Sequence, residues 1–159
     1  MAVLTPQAKE AYLYSRNLTA SRAGTQRAIE FTQAYKNDLG LERQFVTAGG
    51  LLIAGPDPTG NGGTIPGFAD QREVELLVEA GFSPVEAIHI ATLNGATYLG
   101  LADRIGSIAP GKNADLILVR GNPAATIADI EKVETVFKDG VGYDTAKLLD
   151  SVKGRFGQY

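Results

Sequence analysis

Four consecutive apolar residues, Leu51, Leu52, Ile53 and Ala54, run straight into the loop GPDPTGNGG. The run is too short for a helix, and its lack of alternation is how a strand covered on both faces of a parallel sheet reads. Such a strand cannot stand alone. It needs parallel neighbours and helices packed on its faces, so the chain is expected to be α/β.

The flanking sequence supplies helices but few strands. Ala28, Phe31, Tyr35 and Leu39 fall at helical spacing, with Gly40 as the stop signal. After the glycine loop, Val74, Leu77 and Val78 mark a second helix ending at Gly81. Ser83-Pro84-Val85-Glu86 then forms a capping box with proline at the first helical position, opening a helix that runs to about Leu99. From Ile105 the period changes. Leu116 to Val119 reads as another buried strand, and Asp139-Gly140 as the turn of a hairpin. A short helix on Leu148, Leu149 and Val152 precedes a polar end expected to fray. One βα unit followed by a small β-layer does not close an α/β sheet, so the chain reads as the C-terminal part of something larger.

Composition narrows the function. With 44% hydrophobic residues in 159, a core is within reach. The net charge of −3 comes from interspersed acids and bases and provides no basic face for nucleic acid. Absence of cysteine excludes disulfides and thiolate zinc sites. No stretch approaches the roughly 18 apolar residues of a membrane span, and the N-terminus lacks a signal pattern, so a soluble chain is expected, its compartment left open with the cytoplasm favoured over secretion.

Two chemistries compete for the loop after Ala54. A phosphate cradle of the G-x-x-x-x-G-K-[ST] type needs free amides and a lysine. Gly55 and Gly60 have the spacing, but Asn61 and Gly62 stand where lysine and Ser/Thr belong, Pro56 and Pro58 lack amide hydrogens, and Asp57 repels phosphate. The G-x-G-x-x-G pattern fails because Ile65 takes the third glycine's place. A carboxylate site fits better, since an acid just past the C-terminal end of a buried parallel strand is where α/β barrels place catalytic groups.

The segments AGPDP, PGFADQREVELLVEAGFSPVEAIHIATLNGATYLGL and IGSIAPGKNADLILVRGNP, with VETVFKDGVGYD, follow one another in an order that resembles the C-terminal third of the amidohydrolase superfamily. The resemblance is to its imidazolonepropionase-like and prolidase-like metal-dependent members and covers about residues 40 to 144. It implies the C-terminal portion of a (β/α)8 TIM-like barrel plus part of a small β-sandwich. Residues 1–100 would belong to the barrel, 101–143 to the sandwich, and 144–159 to a tail helix. Leu51 to Gly55 would be the eighth barrel strand. Asp57 would be the family's acid, a ligand of a divalent metal, with zinc the expected ion, and the catalytic group that takes a proton from the bridging hydroxide and passes it to the leaving amine. The implied reaction is hydrolysis of a C–N bond in a peptide or cyclic amide, the substrate being a small molecule or peptide. Pro56 stands where Thr or Ser often precedes the acid, which stiffens the turn.

The remaining ligands of such a centre, an H-x-H pair, a central carboxylated lysine or acid and two later histidines, have no counterparts here. The one histidine, His89, lies in EAIHIATLNGA within a helix and reads as an ordinary helix residue. A transition-metal site needs three or four ligands, and Asp57 supplies one, so tight metal binding by this chain alone is not expected. Thr59, Gly62, Gly63 and Gly67 form a loop beside Asp57 that would line the substrate pocket. Glu73, Glu75 and Glu79 read as a solvated helix face, Lys112 and Asp115 as turn and strand entry, and Thr92, Ala96 and Gly100 as a close helix-packing stripe. The alternative to a hydrolase segment is a catalytically incompetent module that folds by self-association. Either way, unpaired strand edges make a homo-oligomer the expected state.

Overall fold

The computed structural model describes residues 2–57, 64–65 and 67–157 of the chain. Two helices come first, α1 (Pro6–Ser21) and α2 (Gln26–Thr47). Each is opened by a threonine whose hydroxyl accepts a first-turn amide: Thr5 from Ala8 and Thr25 from Ala28, both at 3.2 Å. Gly40 does not end α2. The good helix formers Leu41, Glu42 and Arg43 carry the chain across it, at a cost of about 1 kcal/mol for glycine in a helix, and the stop is Gly49 at φ 89°.

Helix α3 (Phe68–Glu79) ends at Gly81, whose φ of 96° only glycine adopts at little cost. The capping box opens α4 (Pro84–His89) as expected: the Ser83 hydroxyl accepts the Glu86 amide at 3.3 Å, and the Glu86 carboxylate accepts the Ser83 amide at 2.7 Å. The helix then widens into a π-turn at Ile90–Asn94 before α5 (Gly95–Tyr98). A three-stranded antiparallel sheet follows in the order β1 (Leu116–Val119), β2 (Val133–Lys138), β3 (Val141–Asp144). Its hairpin turn is Asp139-Gly140, with φ of 50° and 80° as a tight two-residue turn requires. Asp144 caps α6 (Thr145–Ser151), its carboxylate accepting the Lys147 amide at 3.0 Å.

The core gathers Val74 and Leu77 of α3, Phe82, Ala87 of α4, Ile90, and Ile130 from the 3-10 turn before β2. Val46 of α2 and the residues Leu52 and Ala54 pack against its rim.

Three expectations are corrected here. Leu51 to Ala54 is extended but belongs to no sheet among the described residues. Leu52 and Ala54 face the core, whereas Leu51 and Ile53 are 45% and 41% exposed. Without neighbouring strands one face of the run meets solvent. For the same reason β1 is not buried, with Ile117 and Leu118 at its centre exposed. Residues 154–156, expected within a fraying end, are instead pinned: the amides of Gly154 and Phe156 donate to the carbonyls of Ala2 and Val3, and the Thr5 amide donates to Phe156, so Val3 and Leu4 are buried. Among the described residues, no helix is long and apolar enough to cross a membrane.

Candidate functional site

Asp57 ends the extended segment at the rim of an open cleft of about 350 Å³. Pro56 beside it has its φ fixed by the ring. The rest of the lining comes from Tyr12 of α1, from Thr64 and Ile65, and from one face of α3, with Phe68, Ala69, Arg72, Glu73 and Leu76. Three elements therefore converge on the acid, and α3 contributes most of the wall.

The α3 face carries charge that the sequence pattern did not place at the site. Arg72 donates through Nη1 to Glu75 at 2.9 Å and through Nη2 to Glu79 at 2.6 Å, and these two hydrogen bonds hold its guanidinium firmly protonated. Glu75 is consequently not a solvated residue, since its side chain is only 14% exposed and is spent on Arg72. Glu73 is half-buried and lines the cleft with Asp57. Opposite, on α2, the Glu42 carboxyl is pushed above its ordinary range, first by burial and then by Glu73 and Asp38. Burial followed by the Glu79 charge likewise raises the Tyr35 phenol. The cleft thus lies beside a junction where α2 and α3 hold carboxylates close together. The sequence does not point to Tyr12 or Arg72, and its reading of Glu73 as part of a solvated helix face is corrected by the place of Glu73 in the cleft wall. The signal available was the REVE segment of α3, where charges share a helix turn with the buried Val74.

Of the loop positions expected to line a pocket, Thr59, Gly62 and Gly63 lie outside the described residues. Gly67 stands at the head of α3, where its amide donates to Asp70 at 3.0 Å. It borders a second cavity of about 270 Å³, between the 3-10 turn, α6 and the chain ends, rather than the cleft at Asp57. His89 is exposed on the last turn of α4 and takes no part in the cleft. Among the described residues, no group of three or more His, Cys, Asp or Glu is arranged to hold a metal ion.

The PGKNAD segment is architecture, as its sequence suggests. Lys112 Nζ donates to the Ala102 carbonyl, to Ser107 Oγ at 2.6 Å and to the Ile105 carbonyl at 3.3 Å, closing the loop after α5. Asp115 receives Lys138 at 2.8 Å and the Asp139 amide at 2.7 Å, which pins the hairpin turn to the start of β1. The Thr92, Ala96, Gly100 stripe does not mediate helix packing: Thr92 and Gly100 are exposed, and the buried Ala96 meets the turn at Gly106 instead.

The sequence pattern of the amidohydrolase family matches residues 47–142, which includes Asp57, most of the cleft wall, β1, β2 and the first half of β3. The chain belongs to the amidohydrolase family. An adenine deaminase from Mesorhizobium japonicum is 35% identical over 97 residues, covering 58% of this chain and 16% of that protein. Among solved structures, an amidohydrolase from Thermotoga maritima superposes with a TM-score of 0.54 at 30% identity, over 67% of this chain and 26% of its own. Phenylurea hydrolase B superposes with a TM-score of 0.58 at 26% identity, over 90% of this chain and 32% of its own. The chain therefore spans about a sixth of the adenine deaminase's length. The superposition on phenylurea hydrolase B extends beyond the segment that carries the family pattern.

Proposed function

We propose that this chain supplies the closing part of an amidohydrolase fold, in a hydrolase that cleaves a C–N bond, and that Asp57 is its catalytic acid–base. Residues 1–100 are read as the last barrel portion, 101–143 as strands of the β-sandwich, and 144–159 as the tail. The observation that carries the proposal is the position of Asp57, presented by an extended segment at the mouth of a cleft large enough for a small substrate. A carboxylate there can accept a proton from an attacking water and return it to the leaving nitrogen. The peptide or cyclic-amide substrate class follows the prolidase-like resemblance of the motifs. The relative named adenine deaminase makes the amine of a purine the competing C–N bond.

Family membership implies a divalent metal, with zinc the expected ion, and the donor set tests that implication. Asp57 is one donor, His89 is remote from the cleft, and no metal-ligating cluster exists among the described residues. The residues present do not make up a site, so the other ligands must come from polypeptide beyond these 159 residues.

The test is Asp57→Asn in a polypeptide that carries the rest of the amidohydrolase fold, assayed on dipeptides, cyclic amides and adenine. Asparagine preserves size and packing but takes no proton. Turnover should fall by about 10² to 10⁴ in kcat, with KM little changed and the melting curve preserved. Asp150→Asn on the exposed face of α6 is the silent control. Retention of more than about a tenth of kcat would reduce Asp57 to a turn residue.

A second reading, a self-associating module without catalysis of its own, draws on the exposed apolar surface. No residue of α1 or α2 is fully buried, and Ile29, Phe31, Leu41 and Phe45 of α2 all face solvent. The oligomeric state, argued below, decides it.

A further inference from the structure

Leu51 to Asp57 gains no support from a sheet among the described residues, yet it carries the acid at the cleft. One hold on it comes from the π-turn. Asn94, the last residue of that turn, donates from Nδ2 to the Leu52 carbonyl at 2.8 Å in a partly buried hydrogen bond spanning 42 residues of sequence.

The π-turn is itself anchored on two sides. The Thr92 hydroxyl donates to the Ile88 carbonyl at 2.6 Å and the Thr97 hydroxyl to the Leu93 carbonyl at 2.8 Å, giving those carbonyls partners where the helical ladder changes pitch. The Gly106 turn sits directly on Leu93 and Ala96. An irregular turn held this firmly departs from the α-helix for a reason, and such bulges concentrate at functional positions.

From Leu52 the chain needs little to transmit this hold. Ala54 packs on the core rim, and Pro56 has no free φ. Five residues of chain reach at most about 17 Å, so the register set at Leu52 limits where Asp57 can stand.

We propose that Asn94 is a positioning residue: its amide fixes the Leu51–Asp57 segment against the π-turn and thereby aims Asp57 at the cleft. This inference rests on the reading of Asp57 given above.

The test is NMR on the full 159-residue chain. In Asn94→Ala the Asp57 amide resonance should shift, and the heteronuclear NOE of residues 51–57 should fall, while Val74 and Leu77 in α3 keep their shifts. Asn94→Asp is nearly isosteric but donates only when protonated. Its segment should be loose at pH 7 and regain order below the carboxyl's pKa, a pH dependence that simple space-filling does not give.

If Asn94→Ala does not fold, the unaltered chain decides through a measurable coupling across the hydrogen bond from Asn94 Nδ2 to the Leu52 carbonyl carbon. Unmoved Asp57 signals in folded Asn94→Ala, or no such coupling in the unaltered chain, would overturn the proposal. A shifted Asp57 together with full turnover in Asp57→Asn would instead leave the positioning intact and remove the catalytic reading.

Discussion

Arg72 reaches across two turns of α3 to Glu79 at 2.6 Å while holding Glu75 at 2.9 Å, so one guanidinium ties together the helix that walls the cleft. The two partners differ in what they lose without it. Glu79 is half exposed and rehydrates, whereas the Glu75 side chain, 14% exposed, is left as an unpaired carboxylate. Arg72→Gln should therefore lower stability by about 1 kcal/mol, or about 2–4 °C in Tm for a domain of this size. Arg120→Gln, which breaks the exposed pair with Glu134, should be silent in the same melt.

Glu42 predicts a pH dependence of opposite sign to that of an ordinary ion-paired acid. Burial, then Glu73 and Asp38, raise its pKa in the folded chain. Its ionised form is therefore disfavoured by folding, and the unfolded chain binds fewer protons through that range. The penalty is in full force above the raised pKa and disappears as pH falls below the usual glutamate value of about 4.3. Glu42→Gln should stabilise the protein at pH 7 and make no difference at pH 3.5, as read by denaturant melts at the two pH values. Equal effects at both would show that the α2–α3 junction does not desolvate Glu42.

What the sequence made legible were features settled within a few residues. Ser83-Pro84-Val85-Glu86 and Asp139-Gly140 are specified by local hydrogen bonding and φ, and both form where expected. The composition of Leu51 to Ala54 reports what such a run seeks, a place in a doubly covered strand, whereas pairing depends on neighbours that these residues do not supply. The π-turn is not legible in the sequence, because widening a helix by one residue leaves no periodic trace in so short a stretch. Asn94 did leave a trace, as an amide among apolar residues in ATLNGA whose partner, Leu52, lies 42 positions away. The loop sequence points to Asp57, which the structure puts at a cleft rim, but not to Arg72 or Glu73 as its neighbours, because helix α3 alone does not reveal which of its polar flanks meets another element.

Exposed apolar surface predicts association. Leu51 and Ile53 on the extended segment, Ile117 and Leu118 on β1, and Val141 and Tyr143 on β3 all meet solvent beside open strand edges. Sedimentation at micromolar concentration should give a homo-oligomer. Addition of a polypeptide carrying the remaining amidohydrolase fold should convert it to a mixed complex if the edges are barrel and sandwich edges. A compact monomer that melts cooperatively would show that these faces are tolerated in water, and would remove the self-association reading.

Gly106 packs tightly on the π-turn, and it gives the sharpest stability prediction. Its φ of 84° is unfavourable for any side chain, and a Cβ built there would lie 2.5 Å from Ala96 Cβ and 3.0 Å from Leu93 Cα. Ala96 is 3% exposed and Leu93 Cα is backbone, so neither has room to give way. Gly106→Ala should cost about 1–3 kcal/mol from backbone strain, with overpacking adding to it. Gly100→Ala is the comparison, because Gly100 also has a positive φ, 69°, but nothing within 4 Å of its Cβ position. It carries the strain without the clash, so the difference in melting between the two variants isolates the contact with the π-turn. Equal losses would mean that the Gly106 turn can lift away from Leu93 and Ala96, and that the π-turn owes its shape to Thr92 and Asn94 instead.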